Sequence, residues 1–323
     1  MIDISASSRH TGDCRELLKQ LPDACVQTCI TSPPYWGLRD YGVDGQLGLE
    51  PTPDEFVANL VDVFREVRRV LCDDGTLWLN LGDCYASSAG GYDEGGSVGS
   101  TASPRISRSA RAAVVAHRGR KPPYGLKHKD LVGIPWMTAF ALRADGWYLR
   151  SDIVWAKTNP MPESVRDRPT KSQEYLFLLS KSGSYFYDAD AVAEVAVWAG
   201  QNRRSRAPVE TAMPGAPSHR GLRSDEPTGK RNKRSVWTVT TKPYKGAHFA
   251  TFPPDLIEPC VLAGSRPGDI VLDPFFGSGT TGMVAEKHRR RWIGFDLNPA
   301  YATLQRARTS QPSLDLAANG DAP

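Results

Sequence analysis

The 323-residue sequence predicts an α/β fold, a mostly parallel β-sheet with helices on both faces. Two observations carry that expectation. Strand, helix and strand patterns alternate in the first third of the chain and again near its C-terminus. In the second of these units an apolar strand, "DIVLDPF", runs into a glycine turn, "FGSG", that opens a helix. Glycines there let a ligand approach the backbone closely, and the helix start offers it unpaired N–H groups.

Taken in order, "CVQTCITSPPY" places Val26, Thr28 and Ile30 at alternating positions and predicts a strand that Pro33 and Pro34 stop. From Asp54, the residues Phe56, Leu60, Val63, Phe64, Val67, Val70 and Leu71 recur at helical spacing. "DDG" then hands over to the strand "TLWLNLGD". Ile134 to Ala144 reads as a helix, with Pro135 in its first turn and Gly146 beyond its end. The strands "WYLRSDIVWAK" and "EYLFLLS" follow, the second with a hairpin return through Tyr185, Phe186 and Tyr187. Last come a helix from Pro254 to Ala263, the strand "DIVLDPF", a helix through "TGMVAEKH" and the strand "RWIGFDLN".

Two segments interrupt this pattern. Residues 86–130 include "YASSAGGYDEGGSVGSTASP", too rich in Gly and Ser to bury a core, and read as a mobile basic insertion. Residues 199–245 are Pro- and Arg-rich and read as irregular, while 311–323 read as a flexible tail. Residues 1–198 and 246–310 then form one catalytic domain. The net charge of +4 conceals a segregation. Ala86–Lys129 holds eight Lys/Arg against two acids and Ala199–Lys245 eleven against three, so the rest of the chain carries −10. A basic surface on an acidic body points to a polyanionic partner.

No signal-peptide core and no twenty-residue apolar run is present, so a cytoplasmic protein without membrane spans is expected. The six cysteines are scattered without a CxxC pair, and neither they nor the histidines show zinc spacing; no metal is expected.

The glycine turn is the first chemical signal. Asp273 ends its strand, Phe276, Gly277, Ser278 and Gly279 make the turn, and Thr280 starts the helix. Asp296 ends the next strand 19 residues after Gly277, where nucleotide-binding sheets carry an acid for ribose hydroxyls. The sequence is neither a GxxxxGK phosphate loop nor a full GxGxxG dinucleotide fingerprint. A nucleoside without a phosphate chain fits better, and S-adenosyl-L-methionine is such a ligand.

The second signal is "SPPY". An exocyclic amine of a nucleobase is a poor nucleophile because its lone pair is delocalised into the ring. Acceptors on its hydrogens draw the nitrogen toward a tetrahedral shape and free the lone pair for attack on a methyl donor. Ser32 Oγ and the Pro33 carbonyl suit that task, the Pro33-Pro34 step holding the carbonyl rigidly. Tyr35 offers a face on which an extruded base stacks, and Trp36 reads as packing beneath the loop.

With these motifs in view, the chain resembles the β-class amino-group DNA methyltransferases, the site-specific N4-cytosine and N6-adenine enzymes. "GDC" resembles their segment near the cofactor adenine, "TSPPYW" the catalytic motif and "GTLWLNLGD" the following core strand. "SDIVWAKTNPMPESVRDRPTKSQEYLFLLSKS" is similar to the block before the target-recognition region. "GAHFATFPPDLIEPCVLAGSRPGDIVLDPFFGSGTT" resembles the block that binds the methionine end and forms the glycine turn, and "WIGFDLNPAY" the ribose-binding strand end. The six fall in that class's order, catalytic motif first and cofactor motif late.

The resemblance implies a Rossmann-like methyltransferase fold, circularly permuted, with a seven-stranded sheet containing one antiparallel strand. It implies Ser32, Pro33, Pro34 and Tyr35 as catalytic and Phe276, Gly277, Gly279, Thr280 and Asp296 as cofactor-binding, with Asp13, His248, Thr251 and Asp273 as further cofactor residues. It implies double-stranded DNA as partner, a homodimer, and a cytoplasmic enzyme of a prokaryote or phage within a restriction–modification system. Residues 199–245 lie where the class keeps its target-recognition region, which makes Arg203, Arg204, Arg206, Arg231 and Arg234 the expected DNA contacts. A serine before Pro-Pro-aromatic is the form usually seen with N4-cytosine, so that product is preferred to N6-adenine. A DNA-binding protein without catalysis is the rival of another class; it would need neither "SPPY" nor "FGSG".

Overall fold

The strand read from "VQTCIT" lies at the middle of an eight-stranded sheet in the computed structural model, which describes residues 1–38, 40–86, 125–196, 229–241 and 252–310. In chain order the strands are β1 (Ser8–Thr11), β2 (Val26–Thr31), β3 (Leu71–Leu81), β4 (Tyr148–Ala156), β5 (Gln173–Ser180), β6 (Glu194–Val195), β7 (Lys230–Arg231), β8 (Val236–Thr238), β9 (Ile270–Asp273) and β10 (Arg291–Asp296). The helices are α1 (Cys14–Leu18), α2 (Pro53–Val70), α3 (Ile134–Ala144), α4 (Pro254–Gly264), α5 (Thr280–Lys287) and α6 (Ala302–Thr309).

Across the sheet the order is β1-β10-β9-β2-β3-β5-β4-β8. All neighbours are parallel except that β5 runs against both β3 and β4. The seven strands from β1 to β4 thus carry the single antiparallel member that the resemblance implied, and β8 adds a short eighth at the edge. The chain moves from β2 to β3 in one direction and from β9 to β10 in the other, so the order reverses between the adjacent strands β2 and β9. Crevices at the carboxyl ends of such a pair are where open α/β sheets bind ligands.

Each face of the sheet has its own core. On one, α1, α2 and α3 bury Leu18, Phe56, Leu60, Phe64, Leu142 and Phe177; on the other, α4 and α5 cover Trp78, Trp155, Trp237 and Trp292. α2 forms where its apolar positions repeat, and its ends are well made. Thr52 accepts a hydrogen bond from Glu55 N at 2.9 Å, Pro53 opens the helix, and Arg68 and Arg69 occupy its last turn. α3 starts at Gly133 without a capping side chain of its own. Asp83, at the end of the β3 segment, supplies the cap instead, accepting from Gly133 N at 2.9 Å and Ile134 N at 3.2 Å.

Three sequence expectations are corrected. The strand after α2 begins at Leu71 and includes Asp73, Asp74 and Gly75, because Leu71 pairs with Val26 ahead of an irregularity in the β2–β3 register. Tyr185, Phe186 and Tyr187 make no hairpin return. Phe186 N donates to Asp74 O at 2.9 Å and Asp188 N to Ala263 O at 2.9 Å, so the chain crosses beneath the sheet end rather than pairing with β5. The segment 199–245 is not wholly irregular: β7 pairs with β6, and β8 joins the main sheet beside β4. Among the described residues no helix is long and apolar enough to cross a membrane.

Candidate active site

A cleft of about 300 Å³ opens at the carboxyl ends of β2 and β9. Ser32, Pro33, Pro34 and Tyr35 line it from the β2 end, Phe276, Gly277 and Thr280 from the glycine turn, and Asp13 and Asp296 from the far side. The sheet order therefore brings together two motifs more than 240 residues apart, the first at Ser32 and the second at Phe276.

The glycine turn is shaped by what it excludes. Gly277 and Gly279 adopt φ of 52° and 81°, which side-chain-bearing residues rarely enter, and Gly279 N donates back to Phe276 O at 2.8 Å. The Phe276 ring points down into the core, stacked on Trp292 with centroids 5.1 Å apart. It occupies space left by two glycines, since a Cβ on Gly282 would lie 2.7 Å from the ring and one on Gly294 2.4 Å. Phe276 thus anchors the turn from below.

Asp296 lines the cleft and is held by its own turn, accepting from Asn298 N at 2.8 Å and from Gln305 Nε2 at 3.1 Å. Gln305 also donates to Gly277 O at 2.8 Å, linking the glycine turn to the acid; sequence reasoning missed it. Burial pushes the Asp296 carboxyl up to about 6. Asp273 sits below the cleft floor rather than in its lining, with its carboxylate spent on Thr31, Thr281 and Phe275 N. Asp13 does reach the lining, but its carboxylate caps α1 and pairs with Arg15 at 2.6 Å.

On the opposite side Pro33 is buried and Ser32 half-buried. Trp36 packs beneath the loop as expected, its Nε1 donating to Glu50 O at 2.9 Å. Tyr35 belongs to a polar cluster that sequence reasoning did not single out. Its hydroxyl donates to Glu174 Oε2 at 2.6 Å and to Asn80 Oδ1 at 3.2 Å, and Glu174 pairs with Lys157 at 2.5 Å. Burial alone would raise the Glu174 carboxyl, but Lys157 and the Tyr35 hydroxyl reverse the shift and hold it below its ordinary value. The signal was a charge at the start of an apolar strand, "EYLFLLS", opposite another at the end of "DIVWAK".

Of the expected DNA contacts, Arg231 and Arg234 both lie against Glu194, at 3.4 and 3.0 Å. Arg203, Arg204 and Arg206, together with His248 and Thr251, lie outside the described residues. Among the described residues no three His, Cys, Asp or Glu side chains group as a metal site.

Comparison with known proteins decides the family. Residues 26–306 match the family model described as DNA methylase. The chain belongs to the DNA methylase family. The methylase is 50% identical to the Type II methyltransferase M.XycI of Xanthomonas campestris pv. cyanopsidis, over 93% of this chain and 87% of that one. It is 48% identical to M.Cfr9I of Citrobacter freundii, over 94% and 87% of the two chains. Among solved structures, the methylase superposes on the PvuII cytosine-N4-specific DNA methyltransferase with a TM-score of 0.63 at 19% identity, covering 96% of this chain and 88% of that one, a likeness of fold. A DNA modification methylase from Thermus thermophilus, complexed with S-adenosyl-L-methionine, gives a TM-score of 0.58 at 25% identity, covering 94% and 93%. The methylase is thus a Type II DNA methyltransferase of the N4/N6 amino-methylase kind.

Proposed function

We propose that this methylase transfers a methyl group from S-adenosyl-L-methionine to the exocyclic N4 of a cytosine extruded from double-stranded DNA, at a specific sequence. The observation that carries the reading is the meeting of "SPPY" and the glycine turn in one cleft, at the switch point between β2 and β9.

The residues present fit the methyl donor. Asp296 is buried yet faces the cleft, and it retains acceptor capacity for ribose hydroxyls. Gly277 bares the backbone to the ligand, and the N-terminus of α5 at Thr280 suits a carboxylate. Bound there, S-adenosyl-L-methionine supplies an electrophilic methyl group.

The chain's own residues do the rest. Ser32 Oγ and the Pro33 carbonyl accept the two amine hydrogens of the base and localise the nitrogen lone pair. Tyr35 presents its ring to the base, offsetting the stacking lost when the nucleotide leaves the duplex. Ser32, where adenine-specific relatives more often carry aspartate, supports cytosine as the target. The test is to incubate the protein with unmethylated DNA and labelled S-adenosyl-L-methionine, digest to nucleosides and identify the product by mass spectrometry. N4-methylcytosine is expected. N6-methyladenine would overturn the choice of base, and no labelled nucleoside would overturn the activity.

A further inference from the structure

Tyr35 is held more firmly than stacking alone requires. Its hydroxyl is shared between Glu174 Oε2 at 2.6 Å and Asn80 Oδ1 at 3.2 Å. Asn80 Nδ2 in turn donates to Glu174 Oε2 at 3.2 Å and to Tyr175 O at 3.1 Å, which fixes the amide. Glu174 Oε1 receives Lys157 Nζ at 2.5 Å, and the ammonium lies 5.0 Å from the Trp155 ring centroid. Strand pairing places these groups, for Trp155 stands opposite Glu174 in the β4–β5 register. On the ring's flank sits Gly82, where a Cβ would come within 2.5 Å of Tyr35 Cε2.

An aromatic face alone needs no hydroxyl; phenylalanine offers the same ring. Nor is a carboxylate with 8% of its side chain exposed a cheap way to stabilise a fold, since burying an ion pair often gains nothing over apolar packing. What the arrangement does achieve is orientation. A charge-assisted hydrogen bond to the phenol and a close contact at Gly82 together remove the ring's freedom to turn. We infer that the Glu174–Lys157 pair is a positioning element that locks the Tyr35 ring in the attitude in which the extruded base stacks on it, an inference that rests on the functional reading above. Lys157 neutralises Glu174, and Glu174, through Tyr35, sets where the base comes to rest relative to Ser32. All five groups, Ser32, Tyr35, Asn80, Lys157 and Glu174, line the one cleft.

The experiment compares Tyr35→Phe, Glu174→Gln, their double variant and Tyr35→Ala in the full-length protein. The substrate is a duplex carrying the methylated site with pyrrolocytosine in place of the target base. Readouts are pyrrolocytosine fluorescence on binding, kcat for the unmodified duplex, and KM for S-adenosyl-L-methionine. Tyr35→Phe and Glu174→Gln should each lower kcat about tenfold with KM for the methyl donor within about twofold of the parent, as expected for one charge-assisted hydrogen bond lost. Both should also change the emission of the extruded base. The double variant should be no worse than Glu174→Gln, because the two remove one bond. If Glu174→Gln fails to fold, Tyr35→Phe alone decides, since it leaves the buried pair intact. Parental kcat and emission in Tyr35→Phe, with loss of both in Tyr35→Ala, would overturn the lock and leave the stacking reading standing. Parental activity in Tyr35→Ala would overturn the stacking reading itself.

Discussion

Thr31 Oγ1 donates to Asp273 Oδ1 at 2.6 Å, joining the last residue of β2 to the last residue of β9. The other oxygen of the same carboxylate accepts from Thr281 Oγ1 at 2.6 Å, in the first turn of α5. Phe275 N, on the way into the glycine turn, donates to Oδ1 at 3.0 Å. One buried carboxylate therefore sets the spacing between the strand that carries "SPPY" and the turn that holds the methyl donor. Thr31 immediately precedes Ser32, so an error at this joint is passed directly to the reacting atoms.

Asp273 should be visible in the pH dependence of stability. Its carboxyl is pushed from 3.8 up to about 6, by burial first and against its three hydrogen bonds. The folded state therefore holds the proton more tightly than the unfolded chain. The stabilisation is complete below the unfolded value and is lost as pH rises through about 6, a change of at most about 3 kcal/mol. Asp273→Asn should remove that slope while keeping the acceptor toward Thr31. Urea titrations of the ligand-free protein at several pH values check it. Asp296 titrates in the same window, so the parent's slope should fall in Asp273→Asn without vanishing.

Asp296 itself should tie ligand affinity to pH. The ionised carboxylate is the better acceptor for ribose hydroxyls, and its carboxyl is raised to about 6 chiefly by burial. Affinity for S-adenosyl-L-methionine should accordingly rise from about pH 5 to about pH 7 as the group ionises. In Asp296→Asn the affinity should drop about tenfold at neutral pH and lose that dependence, consistent with a neutral acceptor replacing a charged one. Calorimetry on parent and variant reads both. A pH dependence that survives in the variant would place its origin elsewhere.

How much of this was legible in the sequence follows the range of the interactions involved. Local signals were strong: α2 and α3 lie where apolar spacing and prolines put them, and the glycine turn declares itself by composition. The short elements were not legible. α1 spans five residues and depends on the Asp13 cap, while β8 spans three and is a strand only because β4 lies beside it. The site divides in the same way. Ser32 to Tyr35 and Phe276 to Gly279 form contiguous motifs, whereas Asn80, Lys157, Glu174 and Gln305 converge only after folding. Asp273 sat inside a legible motif and was assigned to the ligand, yet its partners Thr31 and Thr281 make it the joint beneath the cleft.

Gly294 offers a steric test of how the turn is anchored. It lies on β10 beneath Phe276, and an added Cβ would fall 2.4 Å from two ring carbons. Neither the strand backbone nor the ring, stacked on Trp292, has room to yield. Gly294→Ala should cost about 1–3 kcal/mol by overpacking. Because the displaced ring belongs to the glycine turn, it should also weaken S-adenosyl-L-methionine binding beyond what the loss of stability explains. Thermal melts with and without ligand separate the two effects. Equal ligand-induced stabilisation in parent and variant would show that Phe276 does not set the turn.

Ser32 is where binding and chemistry should part. It lines the cleft at the end of β2 and follows Thr31, whose own hydroxyl is committed to Asp273. Removing Ser32 Oγ therefore leaves the joint between the two motifs untouched. It deletes one of the two acceptors proposed for the amine hydrogens and leaves the Pro33 carbonyl in place. Single-turnover methyl transfer in Ser32→Ala should slow by about a hundredfold, the scale on which one aligned polar group contributes to a transition state. S-adenosyl-L-methionine affinity should stay within about twofold of the parent, since the hydroxyl acts on the base and not on the donor. Ser32→Thr, which keeps the hydroxyl, should recover part of the rate. A variant that binds the donor poorly but transfers methyl at the parental rate would move Ser32 from the chemistry to the cofactor site.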